Sequence, residues 1–248
     1  MIYKLDHIGI TVRSLSEARE RIESIQPCFH AQHGIEVRDA LREVSIHNPD
    51  RLSISLHRKD RDIGIELIEY PRVSKKKGSM LPWRYDGPDG SKAAIREQIG
   101  RSLDGWSFAD IAALLASHGE FNAVVIPVED LAAEERFWEG LRFRRVHSDG
   151  EMVVLGLKSL IPPAQSDYII LFQVDFATPY HTDLEGINEV ALLCHSCAAD
   201  LKAFPQHVFK SAVDTFRVDG KEIDLGYLRS PSGVLAELLS VRLAAHER

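Results

Sequence analysis

Long apolar runs are missing from this sequence: nothing approaches the roughly 20 residues that would cross a bilayer. Cysteine is scarce, three in 248 residues, which excludes a disulfide scaffold. Basic residues are outnumbered, 30 Lys and Arg against 37 Asp and Glu, so a surface built around nucleic-acid phosphate is not expected. Residues 1–7 show no charged head leading into an apolar stretch, so no secretion signal is expected. A Gly-rich phosphate loop and a Gly-x-Ser-x-Gly elbow are both absent. What is present is 44% hydrophobic and 27% charged residues, ample for a real core. The expectation is a cytoplasmic protein handling a small molecule, with no nucleic-acid or membrane partner.

One outline occurs three times. Leu5–Val12, Phe121–Val128 and Ile187–Cys194 are short, mostly apolar and partly β-branched, as buried strands are. Two residues after each stands a good helix N-cap: Ser14, Asp130 and Ser196. Ser14 also has Glu17 three places on, the capping-box arrangement. Helical spacing follows: Leu15, Ala18, Ile22 and Ile25; then Leu131 and Trp138; then Cys197, Leu201 and Phe204. Strand-like runs then flank Asp149-Gly150 and Asp219-Gly220, strong hairpin signals. In the first copy the return is placed at Asn48–Asp50, between strands at Arg42–His47 and Leu52–His57. Each copy closes on an apolar strand: Ile63–Tyr70, Tyr168–Val174 and Val234–Val241.

The unit is βαβββ, and the pattern predicts an α+β fold in which three such modules form paired curved mixed sheets, with a helical insertion. The modules are placed at 1–71, 120–180 and 181–248. The insertion, 72–119, is expected to hold helices over Lys92–Leu103 and Ser107–His118. Its lysine run at 75–77 and Trp83 read as a solvated linker rather than a lid.

A single module exposes a curved, half-apolar sheet and must pair to bury it. Polar residues that interrupt the apolar strands therefore stand out: His7, Glu66, Glu189 and Glu237. Imidazole and carboxylate donors together suit a divalent ion such as Zn, Ni, Co, Mn, Mg or Fe. Carboxylates gathered in one bowl would need a cation or a proton. Of Glu66 and Glu69 only one can face the interior, and the other is expected to be solvated. Cys194 and Cys197 have metal half-site spacing, but strand-end and helix-core positions explain them. His57 and Arg58 are expected at the surface.

These residues resemble the vicinal oxygen chelate superfamily, which includes glyoxalase I, methylmalonyl-CoA epimerase, extradiol dioxygenases and bleomycin resistance proteins. The resemblance rests on Leu5-Asp-His-Ile-Gly-Ile-Thr-Val-Arg-Ser-Leu15, Ile65-Glu-Leu-Ile-Glu-Tyr-Pro71 and Ser230-Pro-Ser-Gly-Val-Leu-Ala-Glu-Leu238. It implies a divalent metal held by His7, Glu66 and Glu237, with Glu189 as the base. The implied activity is a lyase or isomerase acting on neighbouring substrate oxygens through an enediolate-like intermediate. The alternatives are a non-catalytic small-molecule-binding protein and, more weakly, an Fe(II) extradiol dioxygenase, which prefers two histidines. The second copy departs from the pattern, with Ala123 and Ile170 at the ligand positions, and Glu189 replaces the usual His or Gln. Either the first and third modules share a bowl, the favoured arrangement, or the second and third pair and the first pairs across a homodimer.

Overall fold

The computed structural model describes residues 1–59, 63–89, 91–101, 105–161, 165–175, 180–218 and 220–243. In chain order the first third holds β1 (Ile2–Val12), α1 (Leu15–Ile22), β2 (Cys28–Glu36), α2 (Asp39–Arg42), β3 (Arg51–His57) and β4 (Gly64–Glu69). Then come β5 (Ser74–Lys77), β6 (Leu81–Trp83), α3 (Ser91–Arg101) and α4 (Phe108–His118). The middle continues with β7 (Ala123–Val128), α5 (Leu131–Gly140), β8 (Arg144–Ser148), β9 (Met152–Lys158) and β10 (Ser166–Gln173). The last third is β11 (Leu184–Cys194), α6 (Cys197–Ala203), β12 (Asp214–Val218), β13 (Lys221–Arg229) and β14 (Leu235–Leu243).

The first and last thirds share one curled mixed sheet, ordered β12-β13-β14-β11-β1-β4-β3-β2, with β5 on β11. Its seam is β1 against β11, antiparallel, flanked by the parallel pairs β1–β4 and β11–β14. The middle third forms a separate five-stranded sheet, β6-β7-β10-β9-β8. Strands buried on both faces read as continuous apolar runs, and β7, all six residues buried, is one of them. Helices α1, α5 and α6 begin where the sequence placed their caps: Ser14, Asp130 and Ser196 each accept an amide from the first turn. Helix α1 then buries Leu15, Ala18 and Ile22, the two larger ones contributing roughly 1.5–3 kcal/mol each.

Three local expectations need correction. Arg42–His47 is not a strand; the outer strand of the first module is β2, and Asn48–Asp50 is not a hairpin return. The reason lies in distant carboxylates. Asp183 accepts the Ile46 and His47 amides, and Asp214 accepts the Ala40 amide, so the segment crosses to the last third of the chain. The insertion is not only a helical, solvated linker: β5 pairs with the Leu184–Glu185 start of β11, β6 pairs with β7 in the smaller sheet, and Trp83 in β6 is buried. Glu69 is not merely solvated: it accepts the Leu15 amide at the start of α1. Asp219 and Leu103 lie outside the described residues, while the hairpin glycine Gly150 has φ of +89°, as its turn requires.

The two sheets meet along β1, where the Leu160 amide donates to the Tyr3 carbonyl at 2.9 Å. Asp167 is buried beside Lys4, Asp6 and the Leu5 backbone, and burial pushes its carboxyl up to about 7. A raised acid pKa favours the protonated fold, so stability falls as pH rises from about 4 through 7. Asp167→Asn removes that loss and is expected to raise unfolding free energy at pH 8 by up to about 4 kcal/mol. Urea unfolding of both proteins at pH 5 and pH 8 checks it; equal pH dependence in the two contradicts it. No described helix is long and apolar enough to cross a membrane.

Candidate metal centre

Strand register builds the site before any side chain is considered. Across the seam, Glu66, Gly9 and Glu189 occupy one row of paired positions. Two residues along, His7, Ala191, Glu237 and Tyr227 occupy the next row on the same face. Each row therefore sets two donors either side of a small residue. Neighbouring strands lie roughly 5 Å apart, so the donors start about 10 Å apart and lean together over Gly9 and Ala191. Glycine matters at position 9. A Cβ there would fall 2.6 Å from Glu189 Cδ and nearer still to Cγ and Oε1, so the carboxylate occupies the space that any other residue would fill.

One donor atom from each of His7, Glu66, Glu189 and Glu237 lies within 4.8 Å of the others. His7 Nε2 stands 3.4 Å from Glu66 Oε2 and 3.3 Å from Glu237 Oε2. Ligands on one divalent ion at roughly 2.1 Å are separated by about 3–3.5 Å, so this spacing suits a shared cation. His7, Glu189 and Glu237 are buried to 6, 1 and 2% exposure, where unneutralised carboxylates are costly. His7 Nε2, Glu237 Oε2 and both Glu189 oxygens lack a well-formed hydrogen bond. The donor set thus fits a divalent ion by chemistry, spacing and unmet valence together.

The surroundings hold the donors in place. Asp6 Oδ2 accepts from His7 Nδ1 at 3.1 Å, which leaves Nε2 for the cluster. Arg58 Nη2 donates to the Asp6 carbonyl and to Oδ2, both at 2.8 Å. Burial pushes the Asp6 carboxyl up, but the bond to His7 and the charges of His7, Arg58 and Lys4 outweigh it and hold it well below the usual range. Burial opposes charge on His7, yet Asp6, Glu237 and Glu66 together raise its pKa well above the ordinary value. Burial first, then Glu237 and Glu66, push Glu189 well upward; burial also raises Glu237, against the pull of His7. Without a cation, protons do the neutralising. A divalent ion would displace them.

The cluster forms the floor of a cavity of about 950 Å³. Leu41, Leu52, Ile54, Ile68, Leu225 and Leu239 contribute its apolar wall. Tyr227 donates to Glu237 Oε1 at 3.4 Å, and Tyr70 is buried against Glu189 and Glu66. Burial pushes both phenols well above their ordinary pKa, keeping them neutral donors. At the rim, Arg58 lies over the Phe29 ring and Arg38 over the Phe216 ring.

The structure thus brings together all four residues singled out in the sequence. Ala123 and Ile170 lie fully buried in the smaller sheet, away from the cluster. His57, expected at the surface, is fully buried: Nε2 pairs with Ser55 Oγ and Nδ1 with the Gln26 carbonyl. Those bonds occupy both ring nitrogens, so the nearby trio Glu23, Cys28 and His57 is explained by hydrogen bonding despite its donor types. Cys194 and Cys197 are buried free thiols, burial pushing Cys194 up to about 12. Tyr70, Tyr227 and Gly9 were missed as site residues. Gly9 alone carried a signal, a glycine interrupting an apolar strand.

Neither a protein-family model nor a curated protein sequence matches this chain. Solved structures do. Glyoxalase I from Zea mays aligns at 11% identity over 96% of this chain and 92% of its own, with a TM-score of 0.50. A variant of that enzyme aligns at 13% identity over the same shares, again with a TM-score of 0.50. A proposed dioxygenase from Bacillus subtilis aligns at 12% identity with a TM-score of 0.38, and this chain spans 66% of its length. The expectation drawn from the sequence holds at the level of fold: the chain has an α+β fold of curled mixed sheets like that of glyoxalase I.

Proposed function

We propose that this protein is a metal-dependent lyase or isomerase that moves a carbon-bound proton next to two neighbouring substrate oxygens. The observation that carries the reading is the convergence of His7, Glu66, Glu189 and Glu237 at the floor of one cavity, with donor atoms within 4.8 Å. His7, Glu66 and Glu237 would hold a divalent ion. That ion, when bound, supplies a Lewis acid for the two oxygens.

The remaining steps belong to the chain's own residues. Glu189 stands across Gly9 from Glu66, with both oxygens free of well-formed hydrogen bonds. As the base it takes the carbon-bound proton onto one oxygen. The electron pair of the broken C–H bond passes to the substrate's oxygens, the proton returns to the neighbouring carbon, and the hydroxyl proton passes from one oxygen to the other, so that hydroxyl and carbonyl exchange places. Burial favours the protonated form of Glu189, which helps it accept a proton and hold it through the transfer. His7, Glu189 and Glu237 are buried beside the apolar wall, so the developing charge is screened little and the field of the site acts strongly on it. One imidazole among three carboxylates favours this chemistry over an iron dioxygenase, which prefers two histidines.

Proton exchange tests the reading without knowledge of the natural substrate. A panel of small 2-hydroxycarbonyl compounds in deuterium oxide is followed by proton NMR, with protein loaded with Zn, Ni or Co. The protein is expected to accelerate loss of a carbon-bound proton signal for at least one compound. Glu189→Gln is expected to slow that exchange by about 100-fold or more while still binding the ion. Exchange no faster than in metal-containing buffer, across the panel, contradicts the proposal.

A further inference from the structure

The two tyrosines on the cavity floor are not equivalent. Tyr227 spends its hydroxyl on Glu237 Oε1. Tyr70 has no such partner: the residue is 3% exposed, and its hydroxyl is buried without a well-formed hydrogen bond. Thr182, which pairs with Ser45 Oγ at 2.7 Å, gives the phenol only a weak contact that falls short of a well-formed hydrogen bond. Buried hydroxyls are rarely left unmet unless a partner arrives later. The ring cannot easily turn away, because it packs in a small apolar cluster with Val37, Leu41, Val44 and Ile68.

Its direction follows from strand geometry. Side chains alternate along a strand, so Glu66, Ile68 and Tyr70 share a face, and all three line the cavity. Glu66 and Glu189, the charged groups nearest its phenol, offer only acceptors when ionised. A neutral donor set among acceptors selects a ligand oxygen that bears no proton. We infer that Tyr70 is a substrate contact which donates a hydrogen bond to the carbonyl oxygen of the bound 2-hydroxycarbonyl compound, and so fixes which of its two oxygens lies on the Tyr70 side. This inference rests on the metal-dependent reading above.

Acetohydroxamate, a small chelator with one carbonyl and one hydroxylamine oxygen, provides the probe. Its binding to the Co(II)-loaded protein is followed through the visible absorption of the ion, in wild type and in Tyr70→Phe. Tyr70→Phe is expected to take up Co(II) with unchanged affinity and to bind acetohydroxamate about tenfold more weakly. Equal acetohydroxamate affinity in the two proteins overturns the inference and leaves the metal site standing. Absence of Co(II) absorption in both defeats the metal-dependent reading, and this inference with it. Wild type gives a second measurement: acetohydroxamate added to the Zn-loaded protein should produce a near-ultraviolet tyrosine difference band, and a flat difference spectrum counts against the contact.

Discussion

Replacing either His7 or Glu237 with alanine is expected to weaken divalent-ion binding by more than about 100-fold. The figure follows from comparison with outer partners: losing a group that merely orients a ligand costs 10–100-fold, by typical magnitudes. His7 and Glu237 stand closer than that, their nearest donor atoms 3.3 Å apart over the site. Removing His7 takes away the one imidazole, and it also leaves Asp6 and Arg58 holding nothing on the site's side. Removing Glu237 strips Tyr227 of its acceptor. Cys28→Ser, in the hydrogen-bonded trio elsewhere, is expected to leave ion affinity unchanged. Isothermal titration with Zn or Ni, at matched pH and after chelator treatment, measures all three. Wild-type affinity in either alanine variant contradicts the assignment.

Gly9→Ala is expected to be almost as damaging, although the added methyl is small and carries no charge. Its Cβ would overlap the Glu189 carboxylate, and the side chain is boxed in at 1% exposure. Relieving that overlap shifts the β1–β11 seam, which separates His7 and Glu66 on one side from Glu237 on the other. An affinity loss of about 100-fold is expected, comparable with deleting a supporting group outright. A double-mutant cycle isolates the cause. If the overlap with Glu189 is the mechanism, Gly9→Ala has little further effect on ion affinity once Glu189 is alanine. A full additional loss in that background would place the damage in the strand itself.

The contrast between His7 and Gly9 shows what the sequence made legible. A histidine and glutamates interrupting apolar strands are conspicuous, because an unpaired charge in such a strand is costly. The threefold strand-and-cap outline was visible because Ser14, Asp130 and Ser196 each stand two residues past an apolar run, and each caps a helix. What stayed hidden depends on distant partners. Arg42–His47 has strand-like composition, but Asp183, 136 residues beyond His47, claims its amides. β5 and β6 exist because β11 and β7 offered backbone partners to them. The burial of His57 depends on Ser55 and Gln26 meeting both ring nitrogens, which spacing alone does not show. Tyr70 looked like the end of an apolar strand, and only the cavity reveals that its hydroxyl lacks a well-formed hydrogen bond.

Departures from the fold's ligand pattern also acquire a physical meaning. The second module lost its donors at Ala123 and Ile170, both now in the apolar core. The bowl built by the first and last thirds of the chain holds the four clustered donors. Glu189 would put a third carboxylate beside a bound ion. The site then holds more negative charge than one divalent cation cancels, and a carboxylate free to take a proton restores the balance.

The claim beneath all of this is that side chains from the two ends of the chain share one ion. X-ray absorption of the Zn-loaded protein addresses it directly. The expected first shell has one imidazole nitrogen and otherwise carboxylate or water oxygens at roughly 2.0–2.2 Å, with no sulfur, and His7→Ala removes the imidazole signature. A shell containing sulfur at about 2.3 Å, or an imidazole signature that survives in His7→Ala, would contradict it.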